Sequence, residues 1–167
     1  MLILVEGVDG SGKTTLCKQL VDKCKVQQIN INGALSEAFD LYRSFVSHVT
    51  ICNTTVITDR SFVTDLVYRL SDDKPRETID LSQMCYLLIG PVAIVLCETD
   101  TAYEDAIKRG EDNITDKQRS DEIKKTYEII TSMFNKFLNV PVYKYNWKKQ
   151  NVGDVINFIK EVNNAVR

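Results

Sequence analysis

The eight residues Gly7-Val8-Asp9-Gly10-Ser11-Gly12-Lys13-Thr14 read G-x-x-x-x-G-K-T, and they constrain this chain more than any other segment. The apolar run Leu2-Ile3-Leu4-Val5 precedes them, and Thr15-Leu16-Cys17-Lys18-Gln19-Leu20 follows with helical spacing. Strand, glycine-rich loop and helix in that order make a phosphate-binding loop. The glycines let the backbone curl until its N–H groups converge on an anion. A helix starting at Lys13 adds the positive end of its dipole. Lys13 can reach the outer phosphates of a nucleotide, and the Thr14 hydroxyl can ligate Mg²⁺. Gly7, Asp9, Gly10, Ser11, Gly12 and Thr15 complete the expected nucleotide-binding segment. A chance match of the four fixed positions in a chain of this length has odds of roughly 1 in 200. The flanking strand and helix lower those odds further.

Periodicity sets the rest of the architecture. Strand-like runs recur at Leu2–Glu6, Gln27–Ile31, Thr54–Thr58, Val92–Cys97 and Val142–Tyr145. Between them lie helical stripes: Leu16, Leu20, Val21 and Cys24; Leu35, Ala38, Phe39, Tyr42, Phe45, Val46 and Val49; Ile123, Tyr127, Ile130, Phe134 and Phe137; Val155, Ile156, Ile159, Val162 and Val166. Strands alternating with helices predict right-handed crossovers, hence a five-stranded parallel sheet with helices on both faces. At 167 residues the chain suits one domain, without repeats or linkers. The net charge of −2 argues against a long nucleic-acid interface, which would call for a basic surface. No apolar run is long enough to span a bilayer, and no basic leader is evident. The five cysteines (17, 24, 52, 85 and 97) form no C-x-x-C pair and read as reduced thiols, so a cytoplasmic protein is expected.

In a parallel sheet the ligand binds at the carboxyl ends of the strands. The third strand run is followed by Asp59-Arg60-Ser61. Asp59 can hold Mg²⁺ or accept a proton from the attacking group. Arg60 can grip a phosphate through two parallel hydrogen bonds. The fourth strand leads through Glu98-Thr99-Asp100-Thr101 to a helix ending near Arg109-Gly110, and then to a polar segment without apolar periodicity. That segment, about 109–120, is expected to act as a lid, with Arg109 and then Arg119 as its candidate cations. Arg43 interrupts an apolar stripe, facing either solvent or a substrate cleft. Trp147, the only tryptophan, follows the last strand, either brushing a base or anchoring the core.

Taken together these segments resemble the thymidylate kinases. Glu6 to Thr15 is similar to their E-G-x-D-x-x-G-K-[ST]-T opening, and Phe39 to Arg43 to their F-x-x-x-R helix. Asp59-Arg60-Ser61 with the later Tyr68 resembles their D-R-Y/F segment, and Asp100 to Gly110 their entry to the lid. The resemblance implies transfer of the ATP γ-phosphoryl group to a deoxynucleoside monophosphate, with Mg²⁺. Carried over by position, Asp9 would meet the acceptor sugar, Arg60 its phosphate, and Arg43 and Tyr68 the rest of the acceptor. Lys13, Asp59, Arg60 and Arg109 would carry catalysis, with the metal at Thr14 and Asp59. The resemblance also implies a homodimer. Short chains of this kind are familiar among phage-encoded nucleotide kinases, for which the compartment would be the host cytoplasm.

Three departures shape the expectation. The family's E-P-G-G segment is missing between Ile31 and Ala34. Gly10 and Ser11 leave no arginine in the loop, so a lid arginine would have to stabilise the transition state. Ser61 replaces the usual aromatic, which is closer to deoxynucleoside kinases; those, however, carry Asn-Ile where this chain has Val8-Asp9. The acceptor is therefore a monophosphate or, alternatively, a nucleoside or a modified-base hydroxyl. A guanine-reading N-K-x-D is absent, which excludes a GTP switch, and a strand ending in Asp-Glu is absent, which argues against a motor or AAA-type ATPase. A non-catalytic binding module is disfavoured by the presence of Lys13, Thr14, Asp59 and Arg60 together.

Overall fold

A computed structural model describes residues 1–29, 35–71, 88, 90–110 and 116–165, with side chains in the second helix described at 42–44 and 46–52. Five strands, β1 (Leu2–Glu6), β2 (Gln27–Ile29), β3 (Val56–Asp59), β4 (Val92–Cys97) and β5 (Val142–Tyr145), form one parallel sheet in the order β2-β3-β1-β4-β5. The described helices are α1 (Lys13–Cys24), α2 (Leu35–Cys52), α3 (Phe62–Ser71), α4 (Ala102–Lys108), α5 (Lys117–Leu138) and α6 (Val152–Ala165).

Alternation along β1 explains the two layers. Leu2 and Leu4 point to one face, where Tyr42 and Val49 of α2, Phe62, Val63 and Leu66 of α3, and Ile123 and Tyr127 of α5 close over them. Ile3 and Val5 point to the other, against Leu16, Cys17 and Leu20 of α1 and Val155 and Ile159 of α6. A strand buried on both faces must be apolar throughout, and β1 and β4 are, up to Glu6. Because all strands run parallel, the segments after β1, β3, β4 and β5 gather on one rim, with β1 at the centre.

The structure refines several boundaries. β3 starts at Val56, its Cα level with Leu2, and runs one residue further than expected because Asp59 pairs with Val5. The α5 stripe continues from Phe134 to the partly buried Leu138, and Phe137, expected in the core, is 67% exposed. A further four-residue step from Phe134 keeps the inner face, whereas a three-residue step there rotates outward. Cys17 and Cys97 are buried thiols. Expectations for residues 30–34, for Cys85 and for Val166 lie outside the described residues. Among those described, no helix is long and apolar enough to cross a membrane.

Candidate active site

The phosphate loop owes its shape to three glycines, each with positive φ: 139° at Gly7, 83° at Gly10 and 92° at Gly12. Close neighbours exclude side chains there as well. A Cβ would stand 2.2 Å from the Cys97 carbonyl oxygen at Gly7, 1.8 Å from that of Ala102 at Gly10, and 2.6 Å from the Trp147 ring at Gly12. The loop is thus wedged between the start of α4 and the segment after β5. The Ser11 hydroxyl is buried inside it without a hydrogen-bond partner. An orphaned donor in a ring of glycines at a helix N-terminus suits a phosphate oxygen.

Lys13 is folded back into this loop. Its Nζ donates to the Val8 carbonyl at 2.8 Å and lies 3.9 Å from Asp9 Oδ1. Burial, reinforced by the Arg60 charge, lowers its pKa from the ordinary lysine value, and Asp9 opposes that shift. One residue on, the Thr14 hydroxyl donates to Asp59 Oδ2 at 2.7 Å. The two residues expected at the metal, 45 positions apart in sequence, therefore meet on the exposed side of the loop. A hydroxyl and a carboxylate are hard oxygen donors, the set Mg²⁺ takes alongside phosphate oxygens. Thr15 is exposed beside Thr14.

Behind the loop stands a second cluster. The Arg60 N–H donates to the Val5 carbonyl at 3.0 Å, and the residue then turns into the left-handed region, φ 72°. A non-glycine residue in that conformation needs surroundings that hold it. The turn sends the guanidinium onto Asp9 Oδ1, where Nη2 donates a short, charge-assisted hydrogen bond. Burial works to lower the Arg60 pKa, but the Asp9 charge, with Tyr68 and Tyr127, outweighs it and holds the group above the usual arginine value. Asp9 Oδ2 and the Tyr68 hydroxyl lie beside the pair, both buried, and neither forms a well-made hydrogen bond. Burial also raises the Tyr68 pKa.

Neither the family models nor the curated proteins match this sequence. Solved structures do. The YorR protein of Bacillus subtilis, in complex with phosphorylated GDP, superposes with a TM-score of 0.74 at 19% identity, covering 100% of this chain and 99% of that one. A deoxyadenosine kinase from M. mycoides with dCMP and dCDP bound gives 0.59 at 15% identity, over 100% of both chains. Thymidylate kinase from Candida albicans gives 0.51 at 16% identity, over 96% of this chain and 89% of that one. The fold is that of the P-loop nucleotide and deoxynucleoside kinases.

Within this P-loop kinase fold, the remaining expected residues fall into two groups. Arg43 is exposed, one position past the buried Tyr42, whose ring meets Phe62 edge-on at 5.3 Å. Arg109 is exposed at the end of α4, its Nε donating to the Asp105 carbonyl at 3.3 Å. Neither stands in the buried cluster around Asp9. Arg119 donates to the Ser71 carbonyl, which pins the first turn of α5 to the end of α3. Residues 111–115 of the expected lid lie outside the described residues. Trp147 is part-exposed against Gly12, with Lys148 Nζ 4.9 Å from its ring centre. Lys148 also bonds Asp105 at 2.9 Å, tying the segment after β5 to α4. A small pocket opens beside Gly7 and Val8, walled by Glu98 and by Lys124, Tyr127 and Glu128 of α5.

Sequence reasoning missed the group beneath Arg60. Glu6 closes β1 fully buried. Its Oε1 accepts from the Ser61 hydroxyl and its Oε2 from the Thr64 hydroxyl, the latter at 2.6 Å. Thr64 also bonds the Tyr127 hydroxyl at 2.8 Å. Burial pushes the Glu6 pKa up to about 7, against the pull of these hydroxyls and of Lys13 and Arg60. The signal was present: a carboxylate ending an otherwise apolar central strand, directly before the loop.

Proposed function

We propose that the protein transfers the γ-phosphoryl group of ATP to a deoxynucleoside monophosphate. The observation that carries this reading is the Asp9–Arg60 pair, which joins the phosphate loop to the residue that follows Asp59, itself bonded to Thr14. A monophosphate acceptor brings negative charge, and Arg60 supplies a fixed, always-charged fork for it. It also brings a sugar hydroxyl, for which Asp9 Oδ2 has an acceptor to spare. Loop N–H groups, the Ser11 hydroxyl and Lys13 hold the donor phosphates. Lys13 then exchanges the Val8 carbonyl for phosphate oxygens. Thr14 and Asp59 would hold Mg²⁺, which would supply charge neutralisation on the donor. An oxygen of the acceptor phosphate forms the new bond to the γ-phosphorus, the bond to the β–γ bridging oxygen breaks, and ADP leaves. Arg109 and segment 109–120 close over the site and exclude water, the competing nucleophile. Arg43 and Tyr68 border the remainder of the acceptor. Homodimer formation and a cytoplasmic setting belong to the same reading.

A deoxynucleoside acceptor is the second reading. Ser61 supports it, as does the likeness to the deoxyadenosine kinase. Asp59 would then serve as the base, but it is engaged by Thr14, which favours the monophosphate. Purified protein with ATP and Mg²⁺ is tested on a panel of deoxynucleosides and their monophosphates, with ADP release as readout. ADP formed with a monophosphate supports the proposal. ADP formed only with nucleosides replaces it with the second reading, and none with any acceptor refutes both.

A further inference from the structure

Arg60 holds a backbone conformation that an arginine rarely adopts, and its side chain is partly open to solvent. Asp9 alone does not explain why the turn stays in place, since one ion pair at a partly exposed site constrains little. The next two anchoring side chains along the chain are Ser61 and Thr64, and both end on one buried carboxylate. The two contacts are arranged alike. The Ser61 oxygen accepts the Val63 N–H at 3.1 Å and sends its own hydrogen to Glu6 Oε1. Thr64 sends its hydrogen to Glu6 Oε2 and leaves a lone pair for the Tyr127 hydroxyl. Both carboxylate oxygens are thus engaged, one by each hydroxyl, and each hydroxyl is held in turn by a second partner.

We propose that Glu6 is a positioning residue of the acceptor half-site, whose carboxyl group locks the Ser61–Thr64 turn and so aims the Arg60 guanidinium at Asp9. Tyr127 extends the lock to α5, the helix that follows the lid segment. Ser71 and Thr126, bonded at 3.1 Å, and Arg119 on the Ser71 carbonyl run alongside it. The inference rests on Arg60 receiving the acceptor phosphate, but its geometric content does not. Among the described residues, the groups acting on Glu6 include Lys13 and Cys17 from α1, Arg60 after β3, Tyr42 from α2, Cys97 from β4 and Tyr127 from α5. Of these, Lys13 and Arg60 favour the carboxylate.

The experiment compares ¹⁵N-labelled wild type, Glu6→Gln and Tyr127→Phe without nucleotide at pH 8, with the Arg60 guanidinium signal assigned by its absence in Arg60→Lys. The wild type is expected to show a protected Arg60 signal that Glu6→Gln loses, while the Arg69 signal, held by Asp65 at 3.0 Å, persists in both. Tyr127→Phe keeps the carboxylate and should keep the signal. An unchanged Arg60 signal in folded Glu6→Gln overturns the proposal. In turnover with the monophosphate phosphorylated fastest, Glu6→Gln should raise the acceptor KM about tenfold or more and leave the ATP KM within about twofold. Equal changes in both KM values would leave Glu6 a merely structural residue. A wild type that phosphorylates nothing refutes the functional reading, and the guanidinium comparison then decides the role of Glu6 by itself. Should Glu6→Gln not fold, Thr64→Val removes one of the two bonds and carries the same comparison with a smaller expected loss.

Discussion

The buried carboxylate of Glu6 makes the stability of this protein depend on pH in an unusual direction. Most structural carboxylates are stabilised as anions by folding, so acid weakens the fold. Glu6 behaves in the opposite way. Its folded pKa is raised to about 7 against an ordinary value of 4.5. A raised folded pKa means that the native state binds the proton more tightly than the unfolded chain. The contribution is fully present below about 4.5 and is lost as pH rises through about 7. The difference of about 2.5 units corresponds to about 3 kcal/mol. Of that, about 2 kcal/mol is lost between pH 5.5 and 8. Other groups titrate in this range too, so the test is a difference between two proteins. Urea unfolding of wild type and Glu6→Gln at pH 5.5, 6.5 and 8 should give curves that diverge by about 2 kcal/mol, the wild type losing ground as pH rises. Parallel curves would refute the reasoning, because they would place the Glu6 pKa near its unfolded value.

Three further outcomes follow from the loop. Gly10→Ala should lower stability by at least about 2 kcal/mol, from left-handed strain and a backbone collision, and Tm by roughly 4–8 °C; a thermal scan showing no loss would mean that α4 yields freely. Thr14→Val removes the hydroxyl that meets Asp59, so phosphoryl transfer should fall at least about tenfold and need more Mg²⁺ for half-saturation; an unchanged Mg²⁺ titration would remove Thr14 from the metal site. Trp147, the only tryptophan, touches Gly12, so its fluorescence should change saturably as ATP fills the loop, and a flat titration in a protein that turns over ATP would contradict that contact.

The parts of this structure that are legible in the sequence are those fixed by local chemistry. The phosphate loop announces itself because only glycine tolerates those three positions, and Thr14 and Asp59 can be read together because one opens α1 and the other closes β3 at the same rim of the sheet. β1 and β4 are legible to the residue, since a strand buried on both faces admits no polar interruption. The rest is set by packing between distant elements. Arg119 reads as a lid cation in the sequence, where nothing local marks its hydrogen bond to the Ser71 carbonyl at the end of α3. Phe137 matches a helical stripe that the fold continues through Leu138. Trp147 is open between two roles until its ring is placed against Gly12. Glu6 reads only as part of a motif, because Ser61, Thr64 and Tyr127 lie 55 to 121 positions away and nothing local marks them.

The central claim is that Arg60, paired with Asp9 of the phosphate loop, receives the acceptor of the phosphoryl group that the loop holds. ³¹P NMR of ATP, Mg²⁺, a deoxynucleoside monophosphate and catalytic protein tests it directly, because it shows where the phosphoryl group arrives. The account requires coupled α and β resonances of a deoxynucleoside diphosphate growing in step with ADP, and their loss with Arg60→Ala. Inorganic phosphate as the sole new signal, or diphosphate formed undiminished without Arg60, would contradict it.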